Sequence, residues 1–189
     1  MEPLIALSLA TSTFLDALDQ VGDGQWHLPT PCDEWDVTAL VDHVTMGSEM
    51  AVALLDGASR DEAVAYLDRE FGGDDPATSC RSAVDSQMSR MRAVTDWDVV
   101  VHHAVGDVTA TQLIGFRFGD LTLHAWDLAT AVGADAGLPA DLAAVVYEDM
   151  APMAPFIGTI GLFGEGPSGA VGDDADVQHR LLDLSGRRV

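Results

Sequence analysis

The stretch Leu113–Gly133, LIGFRFGDLTLHAWDLATAVG, constrains the fold more than any other part of the chain. Leu113, Phe116, Phe118, Leu121, Leu123, Ala125, Trp126, Leu128, Ala129 and Val132 make it apolar on almost every side. A helix of that kind is a buried one. It nevertheless carries Arg117, Asp120, His124 and Asp127, at spacings of three, four and three residues, so these four form one polar stripe along one helix face. Burying such groups is costly unless they pair or bind something.

Asp120 and His124 lie one turn apart and suit one metal ion. Zinc accepts histidine nitrogen and carboxylate oxygen; it is the expected ion, with nickel the other candidate. A third ligand must come from a facing helix. His43 is the best candidate, because it too interrupts an apolar helix face. Three protein ligands leave a position open for water or substrate. Asp127 reads as an outer partner of His124 or a surface acid. Arg117 reads as an Asp120 partner at i, i+3 or as a group that orients a substrate carboxylate. Without an ion, the same residues would form a helix salt bridge beside a core histidine. No catalytic residue is assigned by the sequence.

The rest of the chain reads as further helices. Leu4–Val21 has helical periodicity and is stopped by Gly22–Gly24. Residues 25–35 form a loop, with Pro29 and Pro31 keeping it extended. Asp36 is a helix N-cap for Val37–Leu55, where Gly47 leaves room one turn after His43. Ser59–Phe71 is a short amphipathic helix, and Pro76–Thr95 another helix. Trp97–Thr111 breaks the period with VVVHHAV, a short strand-like excursion in which His102 and His103 point to opposite sides and one could approach a metal. Gly115 and Gly119 mark close approach to a neighbouring helix or ligand, and Gly133 is a C-cap. A helix is expected over Pro139–Ala154, a glycine-rich surface loop over 158–174, and a last helix over Val177–Leu184. His27 reads as a loop histidine. Cys32 reads as a small buried residue, with a nucleophile reading open because it precedes a helix start. The domain division expected is a helical bundle over residues 1–157, with 158–189 packing on it.

Thirty-one acids face nine arginines and no lysine, a net charge of −22. Phosphate-rich nucleic acid and anionic membranes are disfavoured partners for such a surface. No run approaches a membrane span. The acidic second residue and the lack of a basic n-region argue against a secretory signal. Cys32 and Cys80 form no CxxC pair and read as free thiols of a cytoplasmic protein.

Three segments carry a resemblance. WHLPTPCDEWDVTALVDHV and the Arg117–Ala129 pattern R-x2-D-x3-H-x-W-D-L-A resemble the DinB-like, mycothiol-dependent maleylpyruvate isomerase superfamily, and Gly161–Val189, with its D-x-Q-x-R-L-L-D-L-S-G-R ending, resembles a short actinobacterial branch of it. The resemblance implies an all-α, DinB-like four-helix bundle with a short C-terminal helical extension. It carries the family's metal ligands onto His43, Asp120 and His124, with aspartate at 120 where the isomerase has glutamate. It implies a metal- and thiol-dependent transferase or isomerase, with mycothiol as co-substrate and an electrophilic small molecule as substrate. The isomerase has a further C-terminal domain that residues 134–189 are too short to replace. That difference and Asp120 favour the alternative, a non-catalytic bundle acting as a binding or dimerisation module. A homodimer is expected under either reading.

Overall fold

The computed structural model describes residues 1–33, 35–157 and 166–188. Helix α1 spans Pro3–Leu18, α2 Val37–Leu55, α3 Arg60–Tyr66 and α4 Pro76–Arg92. A two-stranded hairpin follows, β1 Val100–His103 and β2 Gly106–Thr109, then α5 Ala110–Val132 and α6 Ala140–Met150. A 3-10 turn over Ala151–Met153 leads into α7 Ala154–Ile157, and α8 covers Val177–Leu184. The expected all-α architecture is the one observed.

The four long helices pack in a ring: α1 on α5, α5 on α2, α2 on α4 and α4 on α1. Each contributes an apolar face, through residues such as Leu7 and Phe14, Leu40 and Val44, Val84 and Met91, and Leu121 and Leu128, to one continuous core. α6 lies across α5, and α8 packs on α6. Gly115 and Gly119 face α6. A methyl on Gly115 would stand 3.1 Å from Asp149 Oδ2, and one on Gly119 3.8 Å from Val146 Cγ1. They mark the approach of a neighbouring helix.

Capping residues set where helices begin. Asp36 accepts from the Ala39 amide at 2.9 Å, so α2 has the expected bounds. Thr109 and Gln112 form a reciprocal capping box that starts α5 three residues before Leu113. Gly133 ends it in the left-handed region (φ +73°), which suits glycine. Other helices stop earlier than periodicity suggests. After Leu18 the amides of Gln20 and Val21 bond three residues back, to Ala17 and Leu18, a tightening that ends α1 short of Val21. α4 ends the same way through Ala93 and Val94. α3 stops at Tyr66, and Arg69 then lies over both the Tyr66 and Phe71 rings. The single helix expected over Pro139–Ala154 is broken, because Pro152 has no N–H to continue the ladder.

The strand-like excursion is an antiparallel hairpin in which His102 pairs with Asp107 in register and also through its Nδ1, 2.9 Å from Oδ1. His103 lies edge-on to Phe116. Part of the glycine-rich loop, 158–165, lies outside the described residues. No helix among those described is long and apolar enough to cross a membrane.

Candidate metal centre

Because the flanks of α5 are committed to the core, its polar stripe must be satisfied by the helices it packs against. Arg117 is only 7% exposed. Its guanidinium donates from Nε to Gln87 Oε1 of α4 (2.6 Å), from Nη2 to Ser48 Oγ of α2 (3.3 Å) and from Nη1 to Asp120 Oδ2 (3.0 Å). The space for it comes from Gly47, where an added methyl would lie 2.3 Å from Nη1. The room that the sequence places beside His43 is therefore filled by Arg117.

With Oδ2 of Asp120 held by Arg117, Oδ1 turns to the two histidines. His43 Nε2 lies 3.1 Å from it and His124 Nε2 3.4 Å. The three donor atoms fall within 4.8 Å of one another. Ligands at ~2.0–2.1 Å around a tetrahedral ion stand about 3.3 Å apart, so the two distances to Asp120 have the spacing of ligands sharing one ion. Both histidines present Nε2, and the trio keeps a wet side, with His43 28% and Asp120 21% exposed. The Trp35 ring covers another side, its centroid 4.6 Å from that of His43 and 5.8 Å from that of His124. The donor set and its spacing fit a divalent ion with an open position.

Behind His124 the surroundings are sealed. Asp127 is fully buried and its Oδ2 stands 2.9 Å from His124 Nδ1. Arg187, from beyond the end of α8, grips the same carboxylate with both arms: Nε to Oδ1 at 2.8 Å and Nη2 to Oδ2 at 2.5 Å. The Cys32 thiol donates to Oδ2 at 3.2 Å. Cys32, His124 and Asp127 thus make a second trio of ligand types. There the guanidinium of Arg187 already supplies the positive charge, so this trio is a hydrogen-bond network rather than an ion site.

The charges follow from this packing. Burial pushes the Asp120 carboxyl up, but Arg117, His124 and His43 together outweigh it and hold it well below the usual range. Burial likewise opposes charge on His124, yet Asp120 and Asp127 on its two nitrogens raise it well above the ordinary histidine value. Asp127, despite burial, is held at about 2 by Arg187 and His124. Without an ion, His124 is the shared cation of two carboxylates.

All five stripe and facing residues named from sequence, His43, Arg117, Asp120, His124 and Asp127, meet in this cluster. Asp127 is no surface acid but the buried outer partner of His124. Each nitrogen of Arg117 has a partner, in Gln87, Ser48 or Asp120, which supports its pairing role over substrate contact. His27 is exposed, near Asp36; His102 and His103 belong to the hairpin and neither joins the trio. Sequence reasoning missed Gln87, Ser48 and Arg187. Gln87 had a signal, an amide on the face shared with Val84 and Met91; Arg187 had none.

Known proteins give the context. The family model for the mycothiol maleylpyruvate isomerase N-terminal domain matches residues 7–129. The chain is 32% identical over 143 residues to proteins described as uncharacterized from two strains of Mycobacterium tuberculosis, with 76% of this chain and 74% of each relative covered. It is similar in fold to the crystal structure of the mycothiol-dependent maleylpyruvate isomerase, with a TM-score of 0.64 at 20% identity, covering 82% of this chain and 68% of that one. A histidine-to-alanine mutant of that isomerase gives a TM-score of 0.65 at 19% identity, covering 90% and 72%. The likeness shows that the two proteins share the all-α fold. With well over half of its length, residues 7–129 of 189, matched by the family model, the chain belongs to the mycothiol maleylpyruvate isomerase N-terminal domain family.

Proposed function

We propose that the protein is a divalent-metal-dependent transferase or isomerase that uses a low-molecular-weight thiol, mycothiol, against an electrophilic small molecule. His43, Asp120 and His124 hold the ion, zinc or nickel. The observation that carries this reading is the convergence of two histidine nitrogens, His43 Nε2 and His124 Nε2, on Asp120 Oδ1 at 3.1 and 3.4 Å, on a side open to solvent. A bound zinc would supply a Lewis acid that lowers the pKa of a thiol in its open position.

The chain's own residues prepare that chemistry. Arg117 fixes one oxygen of Asp120 so that the other is presented. Asp127 accepts from His124 Nδ1 and so leaves Nε2 as the ligand atom. Trp35 shields the two rings and narrows the approach to the exposed side. The thiol and substrate reach the site from the side on which His43 and Asp120 are exposed.

Elemental analysis of the untagged protein by plasma mass spectrometry tests the metal, beside the folded His43→Ala variant. About one equivalent in the parent and little in the variant is expected. A parent that takes up neither zinc nor nickel after reconstitution would sink the reading. One observation favours a second one, a non-catalytic binding module: Arg117, Asp120, His43 and His124 also close into a complete ion-pair cluster. A metal-free parent would shift the assignment there.

A further inference from the structure

Asp127 has only two oxygens, and both are fixed by a residue that lies sixty positions later. Arg187 spans them as a fork, Nε on Oδ1 and Nη2 on Oδ2. A bidentate guanidinium sets both the position and the plane of a carboxylate, which a single contact does not. The Arg187 side chain is 8% exposed, so this is no loose surface pair. Its place is set by neighbouring backbone: the Arg187 amide bonds the Leu182 carbonyl at 2.8 Å, and Gly186 takes a positive φ of 80° between them. α8 in turn is tied to the rest by Gln178, which accepts from the Leu138 amide (2.7 Å) and donates to the Ala136 carbonyl (3.1 Å). Apart from Asp127, none of these residues falls within the stretch 7–129 that the family model matches.

We propose that Arg187 is a positioning residue for the metal centre. It holds Asp127, Asp127 aims the His124 ring, and the C-terminal segment thereby tunes ion affinity from the side opposite the ligands. Outer partners of ligating histidines fix ring orientation and basicity; here that outer partner is itself set by a charge from the chain's last turn. This inference rests on the metal reading above.

The test is a double-mutant cycle in metal affinity on the full chain. Arg187→Gln, Asp127→Asn and the double variant, whose neutral pair strands no buried charge, are titrated with Zn2+ against a chromophoric chelator. Co2+ forms are compared by visible absorption, and far-UV circular dichroism checks the fold. Arg187→Gln is expected to weaken binding by about 10–100-fold and to shift the Co2+ bands. The double variant is expected to bind no more weakly than Asp127→Asn, because Arg187 acts through that carboxylate. Arg187→Lys keeps the charge but cannot span both oxygens, and should fall between parent and Arg187→Gln. Parent-like affinity in both Arg187 variants, or strictly additive losses in the cycle, overturns the proposal while the metal site stands. A parent that binds no ion removes both.

Discussion

Replacing Gly47 by alanine sets two physical effects against each other. Helix propensity alone makes the change stabilising in the middle of α2, by about 1 kcal/mol. In this fold the new methyl would stand 2.3 Å from Arg117 Nη1 and 2.9 Å from its Cζ. The tip of an arginine can swing, but this one is buried and held by Gln87, Ser48 and Asp120. Displacing it breaks that pairing. Removing one partner of a buried ion pair costs about 3–5 kcal/mol. Asp120 keeps its two histidines and a wet side, which places the cost near the lower end. After subtracting the helix gain, the variant should be less stable by about 2–3 kcal/mol. For a domain of this size that lowers Tm by about 4–12 °C. Urea and thermal unfolding of the metal-free protein, followed by circular dichroism at 222 nm, measure it. An alanine variant as stable as the parent, or more so, would refute the packing argument, since the sign itself is at issue.

Two further outcomes are expected. The pKa of Asp127 falls to about 2 on folding from about 3.9 in the unfolded chain, so its contribution is present above about pH 4 and is lost as pH falls toward 2. The stability gap between parent and Asp127→Asn should shrink across that window, by on the order of 2–3 kcal/mol; a gap that stays constant from pH 5 to 2 in urea melts speaks against it. Cys80 is fully buried and burial pushes its thiol up to about 11, whereas Cys32 is half-buried. Iodoacetamide should therefore label Cys32 first in the native protein and Cys80 only on unfolding; equal rates by peptide mass mapping would contradict the placement of Cys80.

What could be read from the sequence, and what could not, divides along physical lines. The stripe Arg117–Asp120–His124–Asp127 was legible because helix geometry alone puts those side chains on one face, and His43 because a polar residue on an apolar helix needs a partner. Asp36 and Gly133 fixed helix ends through local chemistry. Thr109 with Gln112, and Pro152, were equally local signals that the periodicity obscured. Where a helix tightens into i−3 bonds, as after Leu18, the pattern of apolar residues carries no mark of it. Arg187 was illegible for a different reason. Its partner is set by how α8 folds back on α6, and nothing in SGRRV marks one arginine as buried. Gly47 was seen as empty space; only the packed α2–α5 interface shows that an arginine fills it.

Trp35 is set apart from the other tryptophans by what its ring touches. Its indole lies against both histidines of the trio, while the loop that carries it is pinned to the start of α2 by the Pro29–Asp36 bridge and by Thr30, whose hydroxyl and amide both reach the Trp35 carbonyl. Imidazole charge and ion coordination would each alter the quenching that this fluorophore feels. The protein thus contains its own optical gauge of the cluster, readable without label, and Trp35→Phe provides the reference that carries only the emission of the other three tryptophans.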